Sequence, residues 1–112
     1  MTISKQKLSG STNGRPIKVA ATATAGTLLH TADASALDEV TLYATNTDTV
    51  DRALTLEWGG TTSPDDLLKE TVPAGATILI APGLPVTGGV VVRAFAAAAN
   101  VINIVGYVNR IS

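Results

Sequence analysis

The side chains that could perform chemistry are few and scattered along this chain. His30 is the only histidine, and there is no cysteine. A zinc site needs three or four nitrogen, sulfur or carboxylate ligands, so His30 by itself suggests a structural or surface role and no metal site. Asp33 and Ser35 lie near it in sequence, which raises the idea of a Ser–His–Asp relay. Such a relay is a spatial arrangement, and no Gly-x-Ser-x-Gly nucleophile elbow occurs here, so a hydrolase is not expected. Asn46, Asp48 and Asp51 place oxygen ligands in one polar stretch. Calcium takes more oxygens than these three provide, the EF-hand pattern is absent, and Asn and Asp are ordinary turn residues. Glu57, Asp65 and Asp66 could supply the paired carboxylates of a glycosidase. That chemistry needs a sugar cleft, and the chain has only one Trp, two Tyr and one Phe to wall it. Gly59-Gly60 and Gly88-Gly89 lack the strand–loop–helix setting of a phosphate cradle and read as turns. These residues point away from an enzyme and toward no cofactor and no small-molecule substrate.

Two further residues invite attention. Trp58 shares its alternation with Leu54 and Leu56 and is expected to plug the core. Arg93, among valines and beside Phe95, needs a carboxylate or carbonyl partner if buried. It and Tyr107 are candidates for contacts between copies of the chain.

The elements that must position these residues read as strands. The chain has 112 residues and is 46% hydrophobic, but only 4% aromatic and 15% charged, which indicates one domain with a shallow interior of Ala and Val. Val40–Thr45 and Ala53–Trp58 alternate apolar and polar residues and read as a hairpin joined by Asn46–Asp51. Thr27–Thr31, Thr77–Ile80, Val90–Ala96 and Val101–Val108 are further strands, as is Pro16–Ala20, with proline tolerated at its start. Thr77–Ile80 is expected to be buried on both faces. In Val90–Ala96 the inward set is Val92, Ala94 and Ala96. In the last strand Ile102, Ile104 and Val108 face in, while Asn103, Tyr107 and Asn109 face out. Ala32–Leu37 could make one helical turn, and Ser63-Pro64-Asp65-Asp66 carries a helix-start signal followed by about one turn. Pro82–Gly89 reads as a stiff exposed loop. The expected fold is an antiparallel β-sandwich of about eight short strands, jelly-roll or immunoglobulin-like, over residues 15–112.

Residues 1–14 are polar, end in Gly10-Ser11-Thr12-Asn13-Gly14, and read as an extended N-terminal arm. Net charge is −1, which favours neither nucleic acid nor an acidic partner, but the distribution is uneven. Lys5, Lys7, Arg15 and Lys18 stand in the first eighteen residues with no acid, and the remaining residues carry a net −5. A basic arm leading an acidic body suggests that the arm lies on a neighbouring acidic surface. Deleting residues 1–14 should then weaken attachment and spare the fold. The N-terminus lacks the apolar run of a signal peptide and no apolar stretch is long enough to span a bilayer, so synthesis in a cytoplasm and no membrane contact are expected.

Four segments carry a resemblance to a known group. They are Gly10-Ser11-Thr12-Asn13-Gly14-Arg15-Pro16-Ile17-Lys18-Val19-Ala20-Ala21-Thr22-Ala23-Thr24, Leu42-Tyr43-Ala44-Thr45-Asn46-Thr47, Leu56-Glu57-Trp58-Gly59-Gly60-Thr61-Thr62, and the ending from Val92-Arg93-Ala94-Phe95-Ala96 through Gly106-Tyr107-Val108-Asn109-Arg110-Ile111. Together they resemble small virion proteins of tailed bacteriophages, most nearly capsid decoration (cement) proteins. The resemblance is one of texture and brings no catalytic residue. It implies a β-sandwich on the outer capsid surface, a homotrimer over a threefold junction, the major capsid protein as partner, and no nucleic acid. A minor tail, collar or head-fibre component with a host-glycan or receptor module is the alternative, with Pro82–Gly89 and the outward Asn103, Tyr107 and Asn109 as its candidate surface.

Overall fold

The computed structural model describes residues 1–112. The chain is all-β and has no helix. Its nine strands are β1 (Ile3–Lys7), β2 (Ile17–Lys18), β3 (Thr27–Thr31), β4 (Leu37–Asn46), β5 (Arg52–Trp58), β6 (Leu67–Val72), β7 (Thr77–Val86), β8 (Val91–Ala96) and β9 (Ile102–Ile111). They form two antiparallel sheets. The first runs β1-β9-β4-β7, with β2 also paired to β9; the second runs β3-β8-β5-β6.

Alternation decides which side chains enter the space between the sheets. Val40, Leu42, Ala44, Ile102, Ile104 and Val108 are buried from the first sheet, and Leu54, Leu56, Val92, Ala94 and Ala96 from the second. The inward sets expected for β8 and β9 are the ones observed. At one position a glycine lets paired strands of the first sheet lie close. Gly106 lies opposite Leu42, and a Cβ there would stand 1.9 Å from the Thr41 carbonyl oxygen, so no other residue fits. Trp58 is only partly buried and packs on the edge of this core.

Several expectations are corrected. β4 and β5 do not form a hairpin. Each is central in its own sheet, β4 between β9 and β7, and β5 between β8 and β6. Alternation reveals a strand's buried face but not its partner. The connecting stretch therefore crosses from one sheet to the other, and Asn46 organises the crossing. Fully buried, it donates from Nδ2 to the carbonyls of Val50 and Val72 at 2.9 Å each and accepts the Asp48 N–H at Oδ1, also 2.9 Å. Asn46→Ala would leave those two carbonyls without their donor, and should lower unfolding free energy by about 1–3 kcal/mol in a urea titration.

β6 begins at Leu67, so Leu67–Lys69 is strand where about one helical turn was expected, and Glu70–Val72, which reads as extended in the sequence, completes it. Ser63–Asp66 makes a turn in which Asp66 Oδ2 accepts the Thr62 N–H at 3.0 Å. Ala32–Leu37 is likewise non-helical: Asp33 Oδ2 accepts the N–H groups of Ser35 and Ala36 at 3.0 and 2.7 Å, as an N-cap would, but the chain turns straight into β4 at Leu37. β7 runs on through Pro82 to Val86 with two register shifts against β4, which reduces the expected loop to a short turn. It is an edge strand, so proline is tolerated, and Thr77–Ile80 is not buried on both faces: Leu79 is 48% exposed.

The N-terminal segment is the largest correction. Residues 3–7 are not a free arm. They pair with β9 from Ile3 opposite Ile111 to Lys7 opposite Tyr107. Leu8 then enters the core, 1% exposed. A segment that is polar on average can still dock when its backbone satisfies a sheet edge and one apolar side chain reaches the interior.

Candidate functional site

Two groupings of polar residues emerge from this scaffold, and only one faces solvent. The enclosed one joins the sheets. His30, on β3, is 1% exposed, and Asp38, on β4, is 0% exposed. His30 Nε2 lies 2.8 Å from Asp38 Oδ2. Arg110, on β9, donates from Nε to Asp38 Oδ1 at 2.8 Å and from Nη2 to Oδ2 at 3.1 Å. The Asp33 N–H also donates to Asp38 Oδ2, at 3.2 Å. Burial pushes the Asp38 carboxyl up, but the hydrogen bonds from Arg110 and His30 outweigh it and hold the group at about 2. The same pairing raises Arg110.

This network contains a serine, a histidine and an aspartate, yet it cannot act as a nucleophilic relay. His30 Nδ1 accepts the Ser9 backbone N–H at 3.1 Å, so the ring's proton sits on Nε2 and is given to Asp38. No ring nitrogen is left to take a proton from a hydroxyl. The Ser9 hydroxyl instead accepts the Thr31 N–H at 2.6 Å. The network is a polar staple across the sandwich. Sequence reading missed it because Arg110 reaches Asp38 only through the pairing of β9 with β4, and His30 reaches it only where the two sheets stack.

Of the other acids flagged from sequence, Asp65 is exposed on the Ser63–Asp66 turn, while Glu57, Asp48 and Asp51 are held by their own surroundings. Glu57 is 1% exposed and accepts the Gly26 N–H at 2.6 Å and the Thr24 hydroxyl. Asp48 takes Arg52 at 2.6 Å, and its carboxyl is lowered chiefly by the Thr49 N–H and by Arg52. Asp51 accepts the Ala74 N–H at 3.0 Å. No three His, Asp or Glu side chains are grouped so as to hold a metal ion.

The open grouping lies on the outer face of the first sheet. Lys5 and Lys7 project from β1, and Lys18 projects from β2 opposite Asn103 of β9. Arg15 stands in the turn between them. β1 and β2 both pair with β9, so the four basic residues line one margin of the sheet. Lys5 Nζ lies 4.6 Å from the Tyr107 ring centroid, within cation–π range. Lys7 Nζ donates to the Ser11 carbonyl at 2.9 Å. Every ion pair of the molecule is made elsewhere, by His30, Arg52 and Arg110. Beyond the cations the face is largely apolar or neutral, with Ile3, Tyr43 and Leu79 exposed at 59, 38 and 48%. Its one acid, Glu39, is two strands from Lys5, across Asn109.

The structure thus brings Lys5, Lys7, Arg15, Lys18 and Tyr107 together, and separates Arg93 from them. Arg93 lies on the outer face of the second sheet, where Nη1 donates to the Gly26 carbonyl at 3.3 Å. Arg93 and Tyr107 therefore cannot serve one patch. The exposed Ile3 and Leu79 were not recognised from sequence, where nothing marks β1 as a strand or β7 as an edge. Comparison with protein families, curated proteins and solved structures finds no match to the chain.

Proposed function

We propose that this is a structural protein of a tailed-phage virion, a capsid decoration protein that sits on the outer surface of the head and stabilises junctions between major capsid protein subunits. The basic outer margin of the first sheet carries this reading. Four cations without carboxylate partners are displayed beside exposed aromatic and aliphatic side chains, a combination suited to an acidic protein surface. The resemblance of the chain to small phage virion proteins supplies the particle. Assembly as a homotrimer made in the host cytoplasm would fix three weak contacts in one body and so convert them into one strong attachment. No nucleic acid, membrane or small-molecule substrate enters this reading. The glycan-module alternative keeps a surface of its own, because Pro82, Pro85 and Thr87–Gly89 are exposed even though β7 extends to Val86, and it stands as the second reading.

The test is a variant with Lys5, Lys7, Arg15 and Lys18 all changed to glutamine. It should keep the wild-type melting temperature within a few degrees, since all four side chains are exposed. Its attachment to stripped particles should fall by at least about tenfold at low salt and lose most of its salt dependence. Undiminished attachment of a folded variant would overturn the proposal.

A further inference from the structure

The basic margin contains a hollow of about 480 Å³ between the turn at residues 10–18 and β9, lined in part by Gly10, Thr12, Arg15, Lys18 and Asn103. We propose that this hollow is an oxyanion site, and that the oxyanion it takes is a carboxylate of the docking partner; the second half of this statement rests on the docking reading above.

The lining is one-sided in its chemistry. It offers a guanidinium, an ammonium, a side-chain amide and a hydroxyl, and it includes no acid. Neither Arg15 nor Lys18 has an ion-pair partner within the chain. An Arg fork can meet both oxygens of a carboxylate or two of a phosphate, while Lys supplies a point charge. Among the lining residues, Thr12 also has a backbone N–H that donates to no acceptor in the protein.

The hollow is also held in shape. Ser11 Oγ donates to the Arg15 carbonyl at 2.7 Å, and the Arg15 N–H donates to the Thr12 carbonyl at 2.9 Å. Gly10 approaches β3 so closely that a Cβ would lie 2.6 Å from the Leu28 carbonyl oxygen, and its N–H donates to the Leu29 carbonyl at 3.0 Å. Asn13 and Gly14 reverse the chain with φ of 56° and 81°. Pro16 then fixes the backbone after Arg15. A braced turn loses little freedom when an anion enters, which favours binding.

The experiment is an amide-resolved NMR titration of the full chain with inorganic phosphate, against sodium chloride at equal ionic strength. Saturable shifts confined to Gly10, Thr12, Arg15, Lys18 and Asn103, absent with chloride and weakened at least fivefold in Arg15→Gln, are expected. Equal shifts with chloride, or shifts spread evenly over Lys5 and Lys7, would overturn the site. A tetraglutamate peptide should displace the phosphate. Phosphate binding that the peptide does not reduce would overturn the carboxylate assignment and leave a site for free phosphate. Particle attachment by Arg15→Gln separates the two readings. If anion binding is lost and attachment is unchanged, the hollow stands as a site but the docking role assigned to it fails.

Discussion

Asp38→Asn is expected to remove about 3–5 kcal/mol of folding stability, the cost of breaking a buried ionic group by taking one partner away. The carboxylate accepts from Arg110, His30 and the Asp33 N–H at once. An amide of the same shape offers one oxygen to these donors and turns its NH2 against the others, leaving the Arg110 charge with only Asp33 at 3.7 Å. The denaturant midpoint should fall with an unchanged slope. Arg52→Gln is the control: its pair with Asp48 is part-exposed, and the loss should stay below about 1 kcal/mol. A loss of that small size for Asp38→Asn would contradict the account of the staple.

The same group sets an acid limit. Its pKa is lowered from 3.8 to about 2, so its contribution is fully present above about pH 4 and disappears as pH falls toward 2. Integrated over that shift it is worth about 2 kcal/mol. Stability of the wild type should decline through this window, and Asp38→Asn should follow a flatter profile there.

The second large effect concerns the N-terminus. Removal of residues 1–14 should unfold the protein or leave it marginal, contrary to the expectation that the segment is a dispensable arm. The deletion strips β1 from β9 along five register positions. It also removes Leu8 from the core, where loss of a buried leucine side chain alone costs about 2–5 kcal/mol. Ser9, which holds His30 and Thr31, goes with it. Against a total of about 5–15 kcal/mol for a small domain, these losses leave little. Circular dichroism melting of the truncated chain checks this, and a melt within a few degrees of the wild type would refute it. Truncation is consequently the wrong way to test attachment, and substitution of the exposed cations is the right one.

The pattern of success in reading the sequence follows from what alternation encodes. The faces of β8 and β9 were legible because Val92-Arg93-Ala94-Phe95-Ala96 and Ile102-Asn103-Ile104 state their burial locally. Partnership was not legible. The β4–β5 hairpin looked natural from two neighbouring alternating runs, and only the pairing of β4 with β9 and β7 shows that the chain changes sheets at Asn46. The N-terminal strand was hidden for a related reason. Ser4-Lys5-Gln6-Lys7 has no apolar face of its own and becomes a strand because β9 offers an edge. The basic residues stand out in the sequence by charge asymmetry, but their arrangement around Tyr107 and Asn103 depends on that same long-range pairing.

The central claim is that this chain is a virion surface component in high copy number. Quantitative mass spectrometry of purified particles from the source measures it directly, as copies of this chain relative to the major capsid protein. The account predicts a copy number close to that of the major capsid protein. A handful of copies per particle, or none, would contradict it.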